Sequence, residues 1–122
     1  MNKETDVFLK HILESISNIE EFTKGISKED FMNSTKTQDA VVRRIEIMGE
    51  ATKNLPKDFR EKYKEVPWSE IARTRDKLIH GYFGVDYNIT WKVIEEKLPD
   101  IKKKIKVILE QEAKKQPKNN PA

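Results

Sequence analysis

Apolar residues recur at three- and four-residue spacing along most of the chain, which is the period of an amphipathic α-helix. No segment alternates between apolar and polar residues for long enough to predict a β-strand. The spacing predicts three long helices, at about Thr5–Lys24, at about 38–54 with Thr37 as N-cap, and from Asp86 or Asn88 onward. The sequence therefore predicts an all-α, up-and-down bundle of four to five helices with short connections.

Turn-forming residues divide this pattern further. Ser27 is expected to cap a short turn or helix anchored by Phe31 and Met32, and Pro56 is expected to open a short helix over 57–63. Pro99 removes a backbone donor, so we expect it to kink or split the final helix. Gly49 interrupts an otherwise good helix former, which predicts close approach of a neighbouring helix at that point.

The segment that begins at Trp68 contains a charged residue where its helical pattern predicts an apolar one. From Trp68 the apolar spacing predicts a helix that Gly81 ends, and Arg75 falls on the apolar stripe of that helix. A guanidinium is costly to bury unless an anion meets it. His80 and Tyr82 flank the predicted helix end, so an arginine, a histidine and a tyrosine are gathered there.

Helix geometry limits how these side chains could cooperate. Residues five apart on an intact helix point about 140° away from one another, so Arg75 and His80 would share a face only if the helix loosens near Gly81 or a second chain completes the site. Asp76 lies four residues before His80 and could orient its imidazole. Metal-free RNA cleavage needs a base, a cation and an acid, and one histidine and one arginine supply two of these. Most isolated arginine–histidine pairs are structural, so the spacing alone favours a structural role over catalysis.

Composition narrows the possible functions. The 122 residues fit one domain, predicted as 1–115 with a disordered tail over 116–122. No apolar run is long enough for a membrane span, no signal peptide is expected, and the absence of cysteine is compatible with a cytoplasmic protein. Two histidines without cysteine predict no ordinary zinc site, and no cofactor motif is present. The net charge of +3 permits contact with nucleic acid without requiring it.

Several other residues carry two interpretations. His11 is favoured as a half-buried or surface histidine, and Glu50 as a solvated rim residue that could also contact a neighbouring helix. Trp91 is expected to be a large anchor that could also face a partner. The lysines at 102–104 and 106 are favoured as a solvated face over a binding site.

The spacing of Arg75, His80 and Tyr82 resembles the Arg-x4-His-x-Tyr motif of HEPN-domain ribonucleases, in particular the HepT-like toxins of prokaryotic toxin–antitoxin pairs. Other stretches resemble that family too, so that the likeness covers nearly the whole chain. They are Thr37–Ala40, Ile47–Ala51, Asn54–Pro56, Val66–Trp68, Gly81–Asp86 and Trp91.

The resemblance implies a HEPN helical bundle that acts as a homodimer with its cleft between the subunits. Arg75 and His80 would carry metal-independent endoribonuclease activity in a type VII-like toxin–antitoxin system, with Asp76 as a supporting residue. Tyr82 would be the tyrosine that an MntA-like nucleotidyltransferase antitoxin modifies with AMP. The added bulk and negative charge would oppose RNA phosphates and silence the enzyme.

Two other functions stay open on the sequence. The chain could be a non-catalytic HEPN module that binds RNA or a nucleotide as an adaptor or regulator. It could also be a plain helical interaction protein whose Arg75 meets a carboxylate across a dimer.

Overall fold

The computed structural model describes residues 1–79 and 84–115, and within these ranges every regular element is a helix. The helices are α1 (Lys3–Thr23), α2 (Lys28–Met32), α3 (Thr35–Lys53), α4 (Lys57–Lys62), α5 (Trp68–Ala72), α6 (Thr74–Leu78), α7 (Tyr87–Lys92) and α8 (Leu98–Lys115), with a π-helical segment (Val93–Lys97) between the last two. The all-α prediction is confirmed. The predicted tail over 116–122 lies outside the described residues.

The long helix α1 lies between α3 and α8 and is antiparallel to both. Glu14 near its middle pairs with Arg44 of α3, and Glu20 near its end pairs with Lys102 at the start of α8. The apolar stripes that the sequence predicts meet between these helices, where their burial supplies most of the stabilisation. The fully buried side chains there include Leu9, Ile12, Ile16, Ile19, Val41, Ile45, Ile105 and Ile108.

Two of the predicted helix caps are confirmed. Ser27 and Asp30 form a reciprocal capping box at α2, with both hydrogen bonds at 3.0 Å. At α7, Asp86 accepts hydrogen bonds from the amides of Asn88 and Ile89.

The predicted cap of α3 is wrong. Ser34 caps this helix by accepting from the amide of Thr37, and Thr37 itself already lies in the first turn. The chain becomes helical earlier than expected because Ser34 supplies the side-chain oxygen, which leaves Thr35 and Lys36 free to continue the helix.

Pro99 lies at the second position of α8, directly after the π-helical segment. The amide of Leu98 donates to the carbonyl of Val93, the longer step that defines a π-turn. Because Pro99 has no amide hydrogen, the regular α-helical ladder cannot continue through it. The backbone torsions at Lys92 and Leu98 stay helical, so the predicted disturbance takes the form of a local change of helix type.

No helix in the described part of the chain has the length and apolar character to cross a membrane.

Trp91 anchors α7 within the chain. Its ring centroid lies 5.3 Å from that of Phe31, and only 8% of the residue is exposed. This leaves little of its surface for a partner.

Gly49 marks the predicted close approach. A Cβ atom at this position would lie 3.3 Å from the carbonyl oxygen of Ala72 and 3.5 Å from that of Ile71. The backbone of α5 therefore packs directly against α3, and the interpretation of this glycine as a packing residue is confirmed. The contact sets the position of α5 and of the α6 segment that follows it.

We predict that Gly49→Leu lowers the free energy of unfolding by about 2–3 kcal/mol, because the added side chain must displace the α5 backbone. Urea unfolding followed by circular dichroism measures this change. Glu50→Leu places the same side chain at the neighbouring exposed position and serves as the control. Equal effects of the two substitutions would contradict the packing interpretation.

A buried carboxylate joins α8 to the rest of the bundle. Glu112 is 2% exposed and receives a hydrogen bond from the Tyr63 hydroxyl, with Lys62 Nζ at 3.1 Å and the amino group of Met1 at 3.2 Å. Burial alone would raise the pKa of this carboxyl, but hydrogen bonds from Tyr63, Lys62 and the amino group outweigh burial and lower the pKa to about 2. Glu112 is therefore held ionised at neutral pH.

Candidate active site

The segment from Trp68 folds as two short helices rather than the single helix that its spacing predicts. Arg73 separates α5 from α6, with φ −105° and ψ 6°. The buried positions after this break are Thr74 and Leu78, so Arg75 is not on the buried stripe. Its side chain is 50% exposed. The prediction of a guanidinium on the apolar face is wrong because the break at Arg73 interrupts the helical rotation on which it depended.

The helix also ends earlier than predicted. Leu78 is its last residue, and Ile79 is extended (φ −99°, ψ 124°) and pairs with Val85 in an isolated β-bridge. The intact helix on which the 140° separation depends therefore ends at Leu78. The predictions for His80, Gly81 and Tyr82 themselves concern positions outside the described residues.

Two carboxylates hold the Arg75 guanidinium. Its Nε atom donates to Glu46 Oε2 at 2.9 Å, and its Nη1 atom lies 3.5 Å from Asp76 Oδ1. The hydrogen bond to Glu46 raises the pKa of Arg75 above its already high usual value. The guanidinium is therefore charged at every pH at which the protein folds, and its position is fixed relative to α3.

Glu46 is the main residue of this site that the sequence does not indicate. It lies on α3 with its side chain 30% exposed, and it is also 3.7 Å from Arg43 Nη1. Its spacing from Arg43 is that of an ordinary surface ion pair on a helix. Nothing in the sequence pairs residue 46 with residue 75; the contact exists because Gly49 allows α5 and α6 to approach α3.

Arg75 lies at the edge of a surface depression of 410 Å³ between α1, α3 and α6. The polar side chains that line it include those of Arg43, Glu46, Glu50 and His11, and Phe8 contributes an aromatic wall. His11 is exposed, as predicted for a surface histidine, and Glu50 is an exposed rim residue that pairs with Lys53 at 3.8 Å. A permanently charged guanidinium at the edge of such a depression can bind a phosphate group.

Asp76 is exposed and contacts Arg75. The proposed contact between Asp76 and His80 lies outside the described residues. Among the described side chains, no group of three or more histidines and carboxylates is placed to hold a metal ion.

Comparison with known proteins identifies the class. The family model "Ribonuclease HepT-like" matches residues 12–108, which include α3, α5, α6 and the Arg75–Glu46 contact. The chain belongs to the HepT-like ribonuclease family.

Individual relatives agree with this assignment. The chain is 54% identical to "Probable ribonuclease HepT" of Thermococcus cleftensis over 97 residues, covering 80% of this chain and 88% of the relative. It is 52% identical to a "Putative RNase" of Caldanaerobacter subterraneus subsp. tengcongensis, covering 86% and 94%. A protein of Methanocaldococcus jannaschii named "Gamma-glutamylcyclotransferase and putative RNase" is 53% identical, covering 91% of this chain and only half of the relative's length. No solved structure matches the chain.

Proposed function

We propose that this HepT-like ribonuclease is a metal-independent endoribonuclease toxin that cleaves RNA with Arg75 and His80 at the cleft of a homodimer. The observation that carries this proposal is the exposed Arg75 guanidinium, held by Glu46 at the edge of a depression large enough for a nucleotide. Half of this side chain remains exposed although its Nε atom donates to Glu46, so part of the guanidinium faces the solvent from which RNA would approach.

The reaction is transfer of the phosphoryl group to the adjacent 2′-hydroxyl. A base removes the 2′-hydroxyl proton, the 2′-oxygen attacks phosphorus, and the bond from phosphorus to the 5′-oxygen breaks. Arg75 stabilises the negative charge that develops on the phosphorane, which a fixed cation does without reorganisation. His80 supplies a proton transfer, and a second subunit would bring a second arginine and histidine to the same cleft.

Regulation belongs to the same proposal. An MntA-like nucleotidyltransferase would transfer AMP from ATP to the Tyr82 hydroxyl and release pyrophosphate. Tyr82 lies two residues after His80 in the sequence, so the added phosphate would place negative charge close to the segment that must meet RNA phosphates. The toxin would be inactive while modified.

Three measurements test the parts of this proposal separately. Cleavage of total RNA in EDTA, compared between wild type, Arg75→Ala and His80→Ala, tests the reaction; equal cutting by all three would refute it. Sedimentation equilibrium tests the dimer. Intact mass after incubation with an MntA-like nucleotidyltransferase and ATP tests the modification, with Tyr82→Phe as the variant that should gain no AMP.

The occupied Nε atom of Arg75 also suits a non-catalytic module that binds RNA as an adaptor. Such a module would bind RNA with an affinity that falls steeply with salt, and it would release no product. The EDTA assay above therefore separates the two functions when it is run beside a binding titration.

We predict that Glu46→Gln lowers kcat by about tenfold or more, because the Arg75 side chain loses the charged acceptor that fixes its position. A single-turnover cleavage assay measures this change. Glu50→Gln removes the same charge from the same depression without contacting Arg75, so it reports the contribution of charge alone. An equal effect of the two substitutions would show that Glu46 has no special role in positioning.

A further inference from the structure

The depression beside Arg75 contains a residue whose chemistry the proposed function does not yet use. His11 of α1 lines it together with Arg75 of α6, although the two residues are far apart in the sequence. The chain has only two histidines. One lies in the Arg-x4-His motif, and the other lines the same depression as the motif arginine.

The imidazole of His11 is free to act. It is exposed, and among the residues that the structure describes no side chain forms a hydrogen bond or an ion pair with it. The charged groups that line the depression with it are Arg43, Glu46 and Glu50 of α3 and Arg75 of α6. Glu46 is engaged by Arg75 and Arg43, and Glu50 by Lys53. Among the described acidic and histidine side chains that line this depression, His11 is therefore the one without an ion-pair or hydrogen-bond partner.

Phe8 gives the depression an aromatic surface beside its charged groups. It lies three residues before His11, so both side chains project from the same face of α1. Phe8 is partly buried against the core and part of its ring remains open to the depression. An aromatic ring beside basic groups is the arrangement that proteins use to stack an unpaired base while its phosphate is held nearby.

We propose that this depression is the nucleotide subsite of the ribonuclease, with Phe8 as its stacking surface and His11 as a second proton-transfer residue. The inference rests on the proposed ribonuclease function and extends it. Phosphoryl transfer needs one group that accepts the 2′-hydroxyl proton and one that gives a proton to the departing 5′-oxygen. His11 and His80 supply the two: one imidazole gains a proton while the other, entering as imidazolium, loses one.

The test is a single-turnover cleavage assay with His11→Gln, run beside the full pH–rate profile. We expect kcat to fall about 100-fold, the lower end of the usual contribution of general acid–base catalysis, while KM changes little. One limb of the bell-shaped wild-type profile should disappear in the variant. Ser17→Ala, at an exposed position of α1 outside this depression, should retain the wild-type rate and profile. A His11→Gln rate within threefold of wild type, with both limbs retained, would overturn the catalytic role.

Binding gives a readout that does not depend on cleavage. A 2′-O-methyl oligoribonucleotide cannot react, and its titration should shift the His11 imidazole resonances in the NMR spectrum. Phe8→Leu, which preserves the packing of the residue against the core, should weaken this binding about tenfold. If wild type cuts no RNA but the shift occurs, the proposed function and the proton-transfer role of His11 fail, and only nucleotide binding by the depression stands. If wild type cuts RNA and the His11 resonances do not move, the subsite proposal fails alone.

Discussion

Replacing Arg75 by alanine is expected to lower the rate of RNA cleavage by about 10²–10³-fold, the effect of removing one preorganised donor to a developing oxyanion. The change removes a guanidinium that is charged at every accessible pH and is fixed by Glu46. Because the side chain is half exposed, its loss should leave the fold intact. Single-turnover rates with a defined oligoribonucleotide measure the effect, and circular dichroism verifies folding.

Two further variants decide what the arginine contributes. Lys77→Ala removes another exposed cation from α6, one that pairs with Glu70 away from the depression. It should change the rate by less than threefold. Arg75→Lys retains the charge but lacks the fork that reaches Glu46 and a phosphate together, so it should restore only part of the activity. Equal loss of rate in Arg75→Ala and Lys77→Ala would mean that α6 contributes only general positive charge.

Replacing Glu112 by glutamine is expected to lower the free energy of unfolding by about 3 kcal/mol at pH 7. The pKa of this carboxyl falls from 4.5 to about 2 on folding, and a shift of that size corresponds to about 3 kcal/mol of preferential stabilisation of the ionised form. Since the folded pKa lies below the unfolded value, this stability is fully present above pH 4.5 and is lost as pH falls toward 2. The difference between wild type and variant should therefore shrink steadily between those values.

Urea unfolding at pH 7, 5 and 3 measures this dependence. Glu110→Gln removes an exposed carboxylate from the same helix and should change stability by no more than about 0.5 kcal/mol. A Glu112→Gln penalty that is as large at pH 3 as at pH 7 would show that the loss comes from packing and not from the ionised network.

The sequence predicts the long helices well because each buries a continuous apolar stripe. The positions that line α1, α3 and α8 are those whose periodicity is strongest. Where the apolar stripe is short, local capping and backbone breaks set the ends of the helices. Two sequence-based predictions of helix ends are wrong for this reason. Ser34 takes the cap expected of Thr37, and the break at Arg73 divides a helix whose spacing looks unbroken.

The candidate site could be located from the sequence only in part. Arg75 is identifiable because its spacing from His80 and Tyr82 matches the Arg-x4-His-x-Tyr motif, yet its predicted place on the apolar stripe is wrong. Glu46 and His11 come to the site through packing, with Gly49 allowing α5 to approach α3. Long-range contacts of this kind leave no periodic signal in one sequence. Glu46, which accepts from the guanidinium, and His11 can therefore be assigned to the site only from the structure.

We propose that Arg75 and His80 cleave RNA through the 2′-hydroxyl without a metal ion. The most direct measurement uses an oligodeoxynucleotide that contains a single ribonucleotide, incubated with the purified protein in EDTA. We predict cleavage on the 3′ side of the ribonucleotide by wild type, cleavage at least about 100-fold slower by Arg75→Ala and His80→Ala, and none of the all-deoxy strand. Cleavage of the all-deoxy strand, or equal cleavage by wild type and both variants, would contradict this mechanism.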